Sequence, residues 1–320
     1  MSKILVAAAL VILVLGLADA RAQVARIEYH PFTSVTLKDA ELLTGKNGQP
    51  VTLAGELRIP RAGTEKLPAV IFLHGVSGVG GSGWMPDEWS RELNGLGIAT
   101  FTVDSLSGRG ITTAADLGWL FMIVDAYRAL DLLAKHPRID PSRIALMGFS
   151  RGGGAAMYAA MRRFQKTYAP EANQQFAAYI PFYPNCVTSY READDVSDKP
   201  IRIHHGTADD NGPIGPCKAY MERLAKLGRD ARLIEYAGAK HVFDAPFFRK
   251  AVIRATDSYT RRCQLAEGED GQIINRETQK AFSMKDDCVE QGGTLEYDEA
   301  ASTKARTAVR EFLTSTFSMK

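Results

Sequence analysis

The sequence lacks the marks of several function classes. Lysine plus arginine number 39 against 37 aspartate plus glutamate, a net charge of only +2. That balance leaves no basic footprint for nucleic acid and no strong field to steer a charged partner. There is no internal repeat and no low-complexity tract. Only four cysteines occur, and no two have C-x-x-C spacing, which argues against zinc ribbons and thioredoxin-type redox chemistry. Long apolar runs are also missing, with one exception at the N-terminus. Ile4 to Ala18 is uninterrupted but spans about 15 residues, short of the roughly 20 that a membrane-crossing helix needs. What remains is ordinary globular composition, 45% hydrophobic and 24% charged.

The exception is informative. One lysine precedes the run, and Ala18-Asp19-Ala20 and Ala20-Arg21-Ala22 follow it. Both triplets fit the small-x-small pattern of a cleavage site. Residues 1–22 are expected to be a secretory signal, cut before Arg21 or Gln23, with an uncleaved anchor as the alternative. The remainder, 23–320, is then exported to the periplasm or beyond, with no membrane association after cleavage. In an oxidising compartment the even set Cys186, Cys217, Cys263 and Cys288 implies two disulfides. Three pairings are open, and the sequential one closes the shortest loops.

Past the signal, "RIEYHPFTSVTL" and "VTLAGELRIP" alternate in polarity around the turn-forming "TGKNGQP" and predict a strand hairpin. "LPAVIFLHG", "IATFTVDS", "RIALMGF", "QFAAYIPFYP", "KPIRIHHG" and "ARLIEYAG" are near-solid apolar runs, as in strands buried on both faces. Helical periods lie between them: 85–97, 114–137, 152–164, 216–228, and a closing helix over 301–317. About eight strands alternating with helices predict one α/β domain, a mostly parallel sheet covered on both faces. The segment 246–300 is the least regular. It holds the second cysteine pair and is expected to be a stapled surface excursion before the last helix.

One stretch concentrates chemistry. In "ALMGFSRGGG", Gly148-Phe149-Ser150-Arg151-Gly152 is a G-x-S-x-G pentapeptide between a predicted strand and a predicted helix. That context is what a nucleophile elbow requires: a sharp strained turn with the serine at its tip, and glycines where side chains would collide. The pentapeptide alone is a weak signal, since a glycine-rich turn can be purely structural. A serine hydroxyl also needs a base. Elbow enzymes order their residues serine, acid, histidine, and only His204, His205 and His241 follow Ser150. The first two lie in a predicted strand; His241 lies in a loop and is the expected base. The acid is expected after "IRIHHG", where G-x-x-D gives Asp209, with Asp210 as fallback and Asp244 too close in sequence to the base. The backbone amides of Arg151 and Val76 are the expected oxyanion donors. His74 is expected to fix the Val76 loop.

"LPAVIFLHGVSG", "VDSLSGRG", "DPSRIALMGFSRGGG", "FYPNC", "IHHGTADDNGPIGPC" and "YAGAKHVFD" together resemble the dienelactone hydrolase family of the α/β-hydrolases, over residues 68–244. The resemblance implies ester or lactone hydrolysis through an acyl-enzyme, with no metal and no cofactor. "FYPNC" and "GPIGPC" resemble the exported branch of that family, which implies a Cys186–Cys217 bridge beside the acid loop. One departure stands out: members that cleave dienelactone use a cysteine nucleophile, and this chain has Ser150. A serine esterase acting on another small-molecule carboxylic ester fits better. Phe149, Trp84 and Tyr183 are candidate acyl-pocket residues, and Arg109 is a candidate for a substrate carboxylate, with a structural ion pair as its alternative. A peptidase or acyltransferase on the same residues, or a catalytically silent binding protein, are the competing functions. Oligomeric state is not legible.

Overall fold

The computed structural model describes residues 24–319 except 47, 82–85, 116 and 170–173. The expected signal segment and Trp84 lie outside the described residues. The main sheet has eight strands: β1 Arg26–Thr36, β2 Gln49–Ile59, β3 Leu67–Leu73, β4 Ala99–Asp104, β5 Ile139–Phe149, β6 Tyr179–Phe182, β7 Ile201–Gly206 and β8 Ala231–Tyr236. Their spatial order is β1-β2-β4-β3-β5-β6-β7-β8. The first two pairings are antiparallel, and the remaining ones are parallel. The expected α/β architecture is therefore present, and it is an α/β-hydrolase fold.

The solid apolar runs become central strands because each face meets its own helical layer. Along β3, Ala69, Ile71 and Leu73 enter one core, while Val70 and Phe72 enter the other. The first core is completed by helices α3 (Met122–Ala134), α4 (Arg151–Tyr158), α5 (Arg162–Tyr168) and α6 (Ile214–Lys226). The second is completed by α2 (Pro86–Gly95) and α7 (Glu299–Thr316). Helix α7 shows how. Asp298 caps its first turn by accepting the Ala301 N–H at 2.9 Å, and Ala301, Ala305, Val309 and Leu313 recur every four residues on the buried stripe. Each fully buried large side chain, such as Trp89 on α2, contributes roughly 1.5–3 kcal/mol.

Three expectations change. A short helix α1, Asp39–Leu43, interrupts the expected β1–β2 hairpin. The helix expected from 114 begins only at Met122. The Arg151 guanidinium donates to the Leu117 and Gly118 carbonyls at 3.3 and 3.1 Å, so these do not serve a helical turn. The helix expected over 152–164 breaks between α4 and α5. Met161 is extended and bridges Val196, and the Arg162 N–H goes to Asp195 rather than back along a helix. These are tertiary contacts overriding a helical period.

Candidate active site

β5 ends and α4 begins within one residue. Ser150 occupies that corner at φ 53°, ψ −111°, a region that non-glycine residues rarely visit. The flanking glycines explain the corner. A Cβ on Gly148 would lie 2.0 Å from the Gly152 carbonyl oxygen, and one on Gly152 would lie 2.4 Å from that of Leu73. The Ser150 N–H is held by the Phe182 carbonyl at 3.0 Å. The turn thus projects the hydroxyl from the carboxyl end of the sheet, beside the start of α4.

The loop after β7 carries Asp209, and the loop after β8 carries His241. Asp209 is buried and accepts three hydrogen bonds: Asn211 N–H at 2.8 Å, Gly212 N–H at 3.0 Å and His241 Nδ1–H at 2.8 Å. Burial by itself would raise its pKa, but the neighbouring His241 and His205 and the Gly212 amide outweigh that and hold it below the ordinary carboxylate range. With Nδ1–H committed to Asp209, His241 Nε2 is left to accept the Ser150 hydroxyl, 2.9 Å away. The expected serine, histidine and acid are thus joined in one hydrogen-bonded line. His204 and His205 are buried. His204 stacks on Phe182, and burial pushes its pKa down to about 3. Asp210 faces elsewhere, accepting the Thr294 amide and hydroxyl.

Val76 and Arg151 both border the cavity at Ser150, and their backbone N–H groups find no protein acceptor among the described residues. A Cβ on Gly75 would sit 3.7 Å from Ser150 Cβ, which sets the Val76 loop beside the hydroxyl. His74 fixes that loop: Nδ1–H donates to the Gly75 carbonyl at 2.7 Å, and Nε2 accepts the Ser105 N–H at 3.1 Å.

The cavity holds about 640 Å³. Phe149 and Tyr183 border it as expected. Arg109 does not, and its expected meeting with a substrate carboxylate is corrected. Its donors go to Asp125 twice at 2.9 Å, to the Ser105 and Val35 carbonyls and to Thr36, so none is left over. The pair is buried, with side-chain exposures of 3% and 0%.

Two other walls had no counterpart among the sequence expectations. One is the stretch before α3, where Trp119 lies under the Arg151 guanidinium at 4.5 Å. The other is the excursion itself, which contributes Arg254, Tyr259, Thr260, Leu265 and Met284. Both disulfides form sequentially, Cys186–Cys217 and Cys263–Cys288. The second staples the excursion. Within it, the Leu265–Glu267 strand pairs with Thr188–Ser189, and Leu295 bridges His241, whose carbonyl accepts the Glu296 N–H at 3.1 Å. The excursion therefore holds the loop of the histidine as well as roofing the cavity.

A second polar group lies away from this cavity. Glu28, His30 and His136 bring ligand-type atoms within 4.8 Å of one another. His136 Nδ1 accepts the Arg138 N–H at 3.2 Å, so Nε2 carries the proton and donates to Glu28 at 3.1 Å. A metal would need the lone pair of that nitrogen. The group is a hydrogen-bonded clamp between β1 and the end of α3.

The dienelactone hydrolase family model matches residues 54–265, most of the chain. The chain belongs to the dienelactone hydrolase family. As a member of that family it is a carboxylic ester hydrolase within the α/β-hydrolase superfamily. Solved structures agree on the fold. A dienelactone hydrolase-like promiscuous phosphotriesterase from metagenomic libraries superposes with a TM-score of 0.57 at 17% identity, over 91% of this chain and 98% of that one. Thermogutta terrifontis esterase 2, phosphoramylated by tabun, gives a TM-score of 0.57 at 19% identity, over 92% and 96%. A comparison with curated proteins finds no match. Within this dienelactone hydrolase relative, the family match spans every residue of the hydrogen-bonded line and ends at Leu265, inside the excursion.

Proposed function

We propose that the chain is an exported serine esterase that works through an acyl-enzyme. Ser150 Oγ attacks the ester carbonyl carbon, and its proton passes to His241 Nε2. Asp209 orients the ring and stabilises its cation. The carbonyl oxygen, now an oxyanion, is received by the amides of Arg151 and Val76. Collapse breaks the bond to the alcohol oxygen, which leaves with the proton from His241. Water then repeats the sequence on the acylated serine and releases the acid. The observation that carries this reading is the unbroken line from Ser150 through His241 to Asp209, at 2.9 and 2.8 Å.

The apolar walls, Phe149 and Tyr183 among them, favour esters with a sizeable acyl group. The two disulfides and the N-terminal apolar run support export. The test follows p-nitrophenyl esters from acetyl to decanoyl, using the oxidised chain from Gln23. Ser150→Ala is expected to lose at least about a thousandfold in kcat. Equal, inert behaviour of both proteins, with no fluorophosphonate labelling of the wild type, would sink the assignment.

A further inference from the structure

Eight large apolar side chains are exposed among the described residues; Ile27, Tyr29 and Leu227 lie apart, but the other five gather at one place. Val76 and Met284 border the active-site cavity. Phe247 adjoins Phe248, Ile253 adjoins Arg254, and Val252 pairs with Leu295; each of those partners borders the same cavity. Phe247 and Ile253 are 69% and 73% exposed. Val252–Ile253 belongs to a two-stranded ribbon with Thr294–Leu295, and both of its residues face solvent.

The same segment is basic. Arg249, Lys250 and Arg254 lie within 247–254, and none has an ion-pair partner among the described residues. Arg249 covers the Tyr297 ring at 5.1 Å. The neighbouring Arg261 and Arg262 are different, since Glu290 pairs with both. Asp257, Glu296 and Asp298, the acids adjoining the segment, form no ion pair with any of the three among the described residues. A net charge of +2 over the chain hides this local excess.

Exposed aliphatic and aromatic tips between unpaired cations match the two demands of a lipid interface. Apolar tips enter the boundary between headgroups and acyl chains, and cations meet lipid phosphates. A second copy of this chain matches poorly, because a two-fold contact would set the same cations against one another. We propose that the 247–254 segment docks the enzyme on an anionic phospholipid surface with the cavity rim against the lipid. Composition alone gave no expectation of membrane association for the mature chain; the local patch supplies it. The docking does not depend on the catalytic reading.

The test is co-sedimentation of the full oxidised chain with phosphatidylcholine vesicles, with and without about 30% phosphatidylglycerol. Binding is expected only with phosphatidylglycerol, and about 1 M salt should abolish it. Lys250→Ala should weaken it roughly fivefold, and the pair Phe247→Asp with Ile253→Asp at least about tenfold. All three substitutions should leave hydrolysis of soluble p-nitrophenyl acetate unchanged, which shows that the variants fold. Ser150→Ala should still sediment with the vesicles, so failure of docking and failure of the esterase reading are separate results. Absence of phosphatidylglycerol-dependent binding, or binding indifferent to these substitutions, overturns the proposal. Concentration-dependent self-association lost in Ile253→Asp would assign the patch to a second copy and overturn it too.

Discussion

Asp210 accepts both the amide and the hydroxyl of Thr294, each at 2.8 Å, while the preceding residue, Asp209, accepts His241 at 2.8 Å. Two adjacent carboxylates thus face opposite ways. One orients the histidine, and the other anchors the return of the excursion. Arg261 adds to that anchor by donating to the Asp210 carbonyl. Asp209→Asn is expected to lower kcat roughly ten-thousandfold with the fold intact, because an amide there no longer selects the right imidazole tautomer. Asp210→Ala is expected to raise KM more than it lowers kcat. Steady-state kinetics with circular dichroism on both variants would separate the roles. Equal kcat losses would mean that Asp210 also serves the histidine.

Asp244, three residues beyond His241, is buried and accepts Trp89 Nε1–H at 2.7 Å and the Tyr183 hydroxyl at 2.8 Å. Burial raises its carboxyl pKa despite both donors. The folded value thus exceeds the unfolded value of about 3.9. Its contribution to stability is complete below that unfolded value and is lost as pH rises through the folded one. Asp244→Asn removes the titration. Its carbonyl can still accept from Trp89, and its amide can donate to Tyr183. The Tm of the variant relative to wild type is therefore expected to climb from about pH 4 toward neutrality. A difference that is flat with pH would show that Asp244 does not titrate in the fold.

The local signals were legible in the sequence, and the non-local ones were not. Ser150 and its glycines could be read because the elbow needs only neighbouring residues. His241 and Asp209 could be read because chain order and strand ends restrict the choice. The mostly parallel sheet followed from near-solid apolar runs that need two covered faces. Arg109 was ambiguous because a guanidinium fork suits a substrate carboxylate as well as Asp125, which lies 16 residues away in sequence. The late start of α3 depends on Arg151 capturing carbonyls from a distant segment. The excursion looked peripheral because its strands are two or three residues long and pair with Thr188–Ser189 and His241, far away in the chain.

The Cys263–Cys288 bridge closes a span of 25 residues. Loop entropy then assigns it about 3–4 kcal/mol of stability. Because Thr260, Leu265 and Met284 border the cavity, replacing both cysteines with alanine should loosen the roof as well as lower Tm. KM for the longer esters is expected to rise while kcat on the acetyl ester is largely kept. A variant with lowered Tm and unaltered chain-length preference would make the excursion a purely structural addition.

Gly152 and Gly154 stand two residues apart on α4 and should respond oppositely to alanine. A Cβ at Gly152 meets the Leu73 and His74 carbonyls at 2.4 and 2.5 Å, both backbone atoms that cannot swing aside. A Cβ at Gly154 meets nothing within 4 Å. Gly152→Ala is expected to cost several kcal/mol, about 3 or more, or to prevent folding. Gly154→Ala is expected to be neutral or to stabilise by about 0.5–1 kcal/mol through helix propensity. Urea denaturation of the two variants checks the contrast.

Arg109 gives the sharpest separation between a binding and a structural role. Its buried pair with Asp125 cannot lose one partner cheaply, since the other charge is then left in the core without compensation. Arg109→Met is expected to destabilise by about 3–5 kcal/mol in urea titrations, with KM unchanged for every ester the folded fraction still cleaves. Because Asp125 is also reached by the Ser34 hydroxyl at 2.5 Å, the orphaned carboxylate keeps one donor, which places the expected loss toward the lower end of that range. Adding Asp125→Leu should recover part of the stability, because the uncompensated charge is then gone. Retained stability together with a raised KM for acidic esters would return Arg109 to the substrate.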